Sequence, residues 1–244
     1  MTLLQNSQLE ELSKKSWQYH AYNHFKNKII DKEKLFPCIP ATQAFSLNHL
    51  RYGFVGSPIR PETSKELAEL LKDYSINYKD FGKYTSLIVF FNTPQELKLK
   101  SSVEDFEVFF WQHLINLNNL DEVQWPVKIP KNPDNPFWEF CFHGEQYFMY
   151  CATPAHKNRK SRYSPYMLLA ITPRSALMEF NTNEQYALKV KNQIRSRLKD
   201  YDTLPIHSSL NSYGKKDNFE WKQYYLHDDH TELIQCPFIK RNNN

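Results

Sequence analysis

Between Asn135 and Arg174 the chain reads NPFWEFCFHGEQYFMYCATPAHKNRKSRYSPYMLLAITPR. Aromatic and apolar residues alternate on both sides of His143-Gly144, the pattern of two half-buried strands joined by a tight turn. The alternation predicts strands at 137–143 and 146–151, and a third apolar strand follows at 165–172. Three strands so spaced commit the middle of the chain to an antiparallel sheet. Between the second and third strands stand His156, Lys157, Arg159, Lys160 and Arg162. Burying one face of a sheet does not call for such a cluster. A phosphate or a cofactor carboxylate does, because charge-assisted hydrogen bonds need a cation on the protein side.

The rest of the chain surrounds this sheet with helices. Residues 8–30 read as a helix with a mixed polar face, on which His20 and His24 stand four apart, a spacing that suits a metal clamp but more often marks solvated or packing histidines. Phe36-Pro37-Cys38 ends that helix, and 39–62 reads as irregular, punctuated by Pro40, Gly53, Gly56, Pro58 and Pro61. Thr63 to Glu66 and Ser101 to Glu104 are capping-box patterns opening two helices, with a β-rich run at 84–91 between them. The second of these helices carries His113 on its apolar stripe, the usual place of a hydrogen-bonded core histidine. Trp125 to Pro136 holds four prolines and reads as an extended connector. Thr182 to Gln185 caps a last helix whose outer face carries Lys189, Lys191, Arg195, Arg197 and Lys199, and an irregular aromatic tail runs from Pro205 to Phe238. The expected architecture is α+β: one domain over residues 1–244, with a small, mainly antiparallel sheet packed against helices.

Composition narrows the function classes. A hydrophobic content of 41% with 15% aromatics is that of a folded chain, and a net charge of +4 with dispersed basic residues points away from nucleic acid. No apolar run is long enough to span a bilayer, and the first fifteen residues, MTLLQNSQLEELSKK, lack a signal-peptide core, which favours a cytoplasmic protein. Cys38, Cys141, Cys151 and Cys236 are scattered without CxxC spacing and are expected to be thiols. Only five glycines are present, and GxGxxG, P-loop, GxSxG, HExxH and CxxCH motifs are all missing. What remains is an aromatic site with histidine, cysteine and arginine. Those are the ingredients of a haem pocket, with an axial donor, flat apolar walls and cations for propionates, and equally of a pocket for another flat anion.

A series of short motifs carries a resemblance. Phe36-Pro37-Cys38, Arg51-Tyr52-Gly53-Phe54, Trp125-Pro126, Asn135-Pro136-Phe137-Trp138, Phe142-His143-Gly144-Glu145, Thr153-Pro154-Ala155-His156, Arg159-Lys160-Ser161-Arg162, Pro173-Arg174 and Cys236-Pro237-Phe238 resemble, in order and spacing, the YqcI/YcgG family over about residues 36–238. One branch of that family contains haem-dependent N-hydroxylases acting on guanidino nitrogens. That branch carries His-Pro where this chain has Thr153-Pro154, and small polar residues where this chain has His156, so the histidine is either displaced by three positions to His156 or lost as a ligand.

The resemblance implies a haem-b monooxygenase acting on a small nitrogenous substrate such as a guanidine or an amine. The alternative is a non-catalytic protein that binds haem or a small anion. The residues expected at the cofactor are His156 as iron ligand, Arg159, Arg162 and Arg174 as partners of carboxylates, and Cys38 as a possible thiolate; Cys236-Pro237 is a weaker thiolate candidate.

Overall fold

A computed structural model describes residues 2–179, 183–210 and 218–239. Nine helices occur among them, α1 (Asn6–Glu10), α2 (Trp17–Ile30), α3 (Ile39–Ser46), α4 (Thr63–Asn77), α5 (Gln95–Lys100), α6 (Val103–Leu120), α7 (Arg174–Glu179), α8 (Glu184–Tyr201) and α9 (Trp221–Tyr224). Five strands form one sheet, β1 (Leu50–Val55), β2 (Ser86–Phe91), β3 (Phe140–Phe142), β4 (Glu145–Ala152) and β5 (Leu168–Pro173). Their spatial order is β1-β2-β5-β4-β3, parallel only between β1 and β2. The architecture is therefore α+β with a mostly antiparallel sheet, as the alternation predicted.

Side chains alternate across a strand, so residue parity sorts the sheet's two faces. Odd positions of β2, β4 and β5, such as Val89, Met149 and Ile171, pack with Leu67 and Leu71 of α4 and Phe106 and Phe110 of α6. Trp221, Tyr224 and Phe238 of the C-terminal segment close the same core. Even positions, including Ile88, Phe90 and Leu168, face Ala21 and Tyr22 of α2 and Ala44 of α3. The result is three layers, helices on both faces of one sheet.

The β3–β4 turn is the two-residue hairpin expected at His143-Gly144. Both residues have positive φ, 52° and 77°, the backbone that matches the twist of paired strands. Four expectations need correction. The segment 39–62 is not irregular: it contains α3 and β1, with Leu50 and Tyr52 almost fully buried. The first helix is two, broken before Ser16, whose hydroxyl accepts from the Tyr19 amide and starts α2. Thr63 does not cap α4; its hydroxyl donates to the Ser57 carbonyl, and Glu66 accepts from the Gly56 amide. The α6 capping box lies one residue later than read, at Ser102 and Asp105. At α8 the cap is Asn183, and Thr182 lies outside the described residues.

Candidate functional site

The even face of the sheet is incompletely filled, and the reason is local. Where β2, β5 and β4 run side by side, their even positions include Ser86, Ala170, Thr172 and Ala152, too small to reach the helices above. The space left between this floor and α2 encloses about 1030 Å³ free of protein atoms, mouth included, of which about 180 Å³ can hold the centre of a water molecule. Phe148, Tyr150, Ile88 and Leu168 complete the floor; Phe25 and Ile29 of α2, Phe36 and Ala41 form the roof. Polar groups are few. Among those lining it, Cys38 sits at the N-cap of α3, and His24 and Lys28 stand one turn apart on α2.

Each of these groups has a defined state. Burial, helped by Lys28, pulls the His24 imidazole down to about 4, so it is neutral at pH 7 with a free lone pair. Its ring meets Tyr163 edge-on at 5.6 Å. Burial raises the Cys38 thiol above its usual value, opposed by the Ala41 amide. Burial also pulls Lys28 down to about 7, with Asp202 opposing. Yet Lys28 Nζ donates to the carbonyls of Lys160, Ser161 and Tyr163 at 2.8, 3.1 and 2.7 Å, three donors that only the ammonium possesses. Lys28 therefore ties α2 to the 160–163 loop as a cation.

A second, more open recess continues from the first. It shares His24, Lys28 and Tyr163 with the cavity and adds Lys34, Lys157, Lys160, His156 and Tyr201. The apolar cavity thus opens beside a rim of lysines.

The residues expected at the cofactor divide differently from their pattern in sequence. Cys38 lines the cavity. His156 is 1% exposed and both ring nitrogens are engaged. Nε2 lies 2.9 Å from the Leu226 carbonyl, which only accepts, so Nε2 carries the proton; Nδ1 then accepts from the Thr153 hydroxyl at 2.7 Å. An axial role for His156 requires one of these bonds to break. Arg159 donates to the carbonyls of His227, Pro205 and Asp229 at 2.8, 3.1 and 2.5 Å. Arg162 donates to Cys151, Tyr224 and Gln223 at 3.2, 2.9 and 2.8 Å and lies over the Tyr150 ring. Both guanidiniums are buried and face main chain. Arg174 opens α7 and pairs with Glu139. Cys236 is fully buried in the core behind the opposite face of the sheet. His20 is exposed, so it and His24 do not form a clamp, and no group of three or more His, Cys, Asp or Glu among the described residues could hold a free metal ion. All four cysteines are free thiols. Lys28 went unread in the sequence; the one available sign was the i,i+4 spacing of His24 and Lys28 on one helix face.

The chain belongs to the YqcI/YcgG family, whose profile matches residues 25–239. Among its relatives, the Uncharacterized protein YqcI of Bacillus subtilis (strain 168) is 49% identical over 99% of this chain and 96% of its own length. The Uncharacterized protein YcgG of the same organism is 44% identical over 91% of this chain and 88% of its own. A more distant relative, 31% identical over 92% of this chain and 85% of its own length, is the Putative N(omega)-hydroxy-L-arginine synthase DcsA of Streptomyces lavendulae. No solved structure matches the chain. No helix among the described residues is long and apolar enough to cross a membrane.

Proposed function

We propose that this chain is a cytoplasmic, haem-b-dependent monooxygenase that hydroxylates a nitrogen of a small molecule, an amine or a guanidine, in the cavity beneath α2. The observation that carries the reading is the cavity's chemistry: apolar, aromatic walls with only Cys38 and His24 as soft donors. The residues fit a haem. His24, neutral at pH 7, or Cys38, once it gives up its proton, would hold the iron; the rim lysines would face the propionates. The distant relationship to a protein named as a hydroxyarginine synthase supports N-hydroxylation as the reaction class.

Bound haem would supply the oxidising chemistry, and the balance is N–H to N–OH, with dioxygen, two electrons and two protons yielding water besides, or with peroxide alone yielding water. The chain's own part is to position and to exclude water. Phe25, Phe36 and Phe148 keep the site dry, which strengthens the few polar contacts inside it. Lys28, fixed on three carbonyls, holds α2 and the 160–163 loop at a constant separation.

Titrating the purified chain with hemin is expected to give a saturable Soret band, and the loaded protein is expected to oxidise a member of an amine and guanidine panel. A flat titration would reject the reading; tight binding without turnover would leave a binding protein. His24→Ala and Cys38→Ser discriminate the ligand, since only the variant lacking the iron donor should shift the ferric spectrum. Ala170→Phe should abolish binding, because Ala170 lies between Ile88 and Tyr150 on the cavity floor and a ring there fills the space. Undiminished hemin affinity in Ala170→Phe would place the haem elsewhere.

A further inference from the structure

The segment 226–231, just beyond α9, joins the basic loop to α6 on the far side of the sheet. Toward the loop, the Leu226 carbonyl accepts from His156, and the carbonyls of His227 and Asp229 accept from Arg159. The Asp228 carboxylate accepts from the amides of Lys157, Asn158 and Arg159 at 2.9, 3.0 and 2.7 Å. Toward α6, His227 Nε2 lies 2.8 Å from a Glu107 carboxylate oxygen, and both residues are buried. The donors and acceptors around His227 fix its state. Asp229, held below the usual carboxylate range by its bonds from Thr231, only accepts, so the Thr231 hydroxyl donates to it at 2.6 Å. Thr231 Oγ1 then accepts from His227 Nδ1 at 2.7 Å, while Glu107 accepts from Nε2. An imidazole that donates from both nitrogens is an imidazolium. The charges facing it agree: the Glu107 hydrogen bond raises its value most, burial opposes, and Glu104 and Asp229 add to the rise. His207, Lys222 and Glu232 line the same small cavity. Lys222 and Glu232 are paired with each other at 2.7 Å, and burial lowers His207.

Loss of that proton forces one of the two contacts to invert. A bare Nε2 would face the Glu107 carboxylate, lone pair against lone pair, and release the segment from α6. A bare Nδ1 would need the Thr231 hydroxyl, whose bond to Asp229 closes the turn that presents the Asp229 carbonyl to Arg159. We propose that residues 226–231 are a pH-sensitive latch: protonated His227 fixes the segment to α6 and thereby holds the 156–162 loop in place, and loss of the proton frees both. The loop supplies His156, Lys157 and Lys160 to the recess at the cavity mouth, so the latch sets how readily that mouth opens.

Amide hydrogen exchange of the full chain tests this, read by mass spectrometry over residues 156–163 at intervals from about pH 6.5 to 9 and corrected for the intrinsic effect of pH. Protection of the loop is expected to fall at least about tenfold through a one-proton transition, the change that one pKa unit between latched and free states produces. The buried histidines His24, His113, His156 and His207 stay neutral across this range, because burial lowers each of them. Glu107→Gln should move the midpoint to lower pH, since the carboxylate that favours the cation is gone. His227→Gln should remove the transition and leave the loop weakly protected throughout. Exchange of β2, in the middle of the sheet, reports whether each variant is folded, and the wild-type profile tests the latch even if a variant is not. Loop protection that does not change with pH in the wild type overturns the proposal. So does a midpoint unmoved by Glu107→Gln, or a transition that survives His227→Gln. A surviving transition would pass the role to Lys28, which burial pulls down to about 7 and which also holds the loop. No ligand takes part, so the outcome stands apart from the haem reading.

Discussion

Replacing Arg162 with alanine is expected to destabilise the fold by about 3–5 kcal/mol, out of a total of about 5–15 kcal/mol for a typical domain. The guanidinium is 4% exposed and donates to three main-chain carbonyls, those of Cys151, Gln223 and Tyr224. Cys151 ends near the edge of β4, whereas Gln223 and Tyr224 belong to α9, so one side chain joins the sheet to the C-terminal segment. Truncation leaves buried acceptors without donors, each worth about 1–3 kcal/mol, and removes the contact with the Tyr150 ring at 4.2 Å. Lysine should recover only part of the loss, because a point charge cannot reach acceptors on two segments at once. Urea midpoints for the alanine and lysine variants measure this. An unchanged midpoint, with ligand affinity lost instead, would return Arg162 to the role of a carboxylate clamp.

That expectation differs from the one the sequence suggests, and the difference has a physical origin. A cluster of arginines declares positive charge but not its partner. The acceptors of Arg162 on α9 lie 61 and 62 positions away, and those of Arg159 on the C-terminal segment 68 and 70. They are main-chain carbonyls, which leave no trace in side-chain identity. An irregular segment that crosses a core has no ladder to satisfy its carbonyls, so buried donors must come from elsewhere, and arginine brings five. The hairpin was legible because period-two alternation and a two-residue turn are local signals, and β2 because a short continuous run of β-branched and aromatic residues is another. Strand β1 was not, because two of its residues interrupt the apolar run. Arg51 lies over the Phe81 ring and donates to the Asn48 and Leu50 carbonyls. Gly53 is needed for close packing, since a Cβ there would meet Leu70 at 2.5 Å. Cys38 lines the cavity. The cavity itself was not legible, because it arises from small side chains on three separate strands, and only their pairing brings Ala170, Ala152 and Thr172 onto one floor.

Acid should unfold this protein through histidines that the fold keeps neutral, His113 and His156 foremost. Burial lowers both His113 and His156 to about 4, against about 6.5 in the unfolded chain. His113 Nδ1 bonds to Ser64 Oγ at 2.9 Å, and His156 is fixed between Thr153 and Leu226. Because the folded values are depressed, the unfolded chain takes up protons first as pH falls below about 6.5. Stability is therefore intact above that pH and lost on the way down to about 4, by roughly 2–3 kcal/mol per histidine at about pH 4.5. His227 works in the opposite sense. Its hydrogen bond to Glu107 at 2.8 Å raises its value, so its contribution is full at low pH and disappears as pH rises through the folded value. It is one group against several, since burial lowers His24, His49 and His207 as well, and net loss in acid is the expected result. Urea unfolding of the wild type and of His113→Gln/His156→Gln at intervals between about pH 7 and 4.5 tests this. The double variant starts less stable but should show a much flatter acid limb. An acid limb equally steep in both proteins would mean that other groups, not these two histidines, govern the transition.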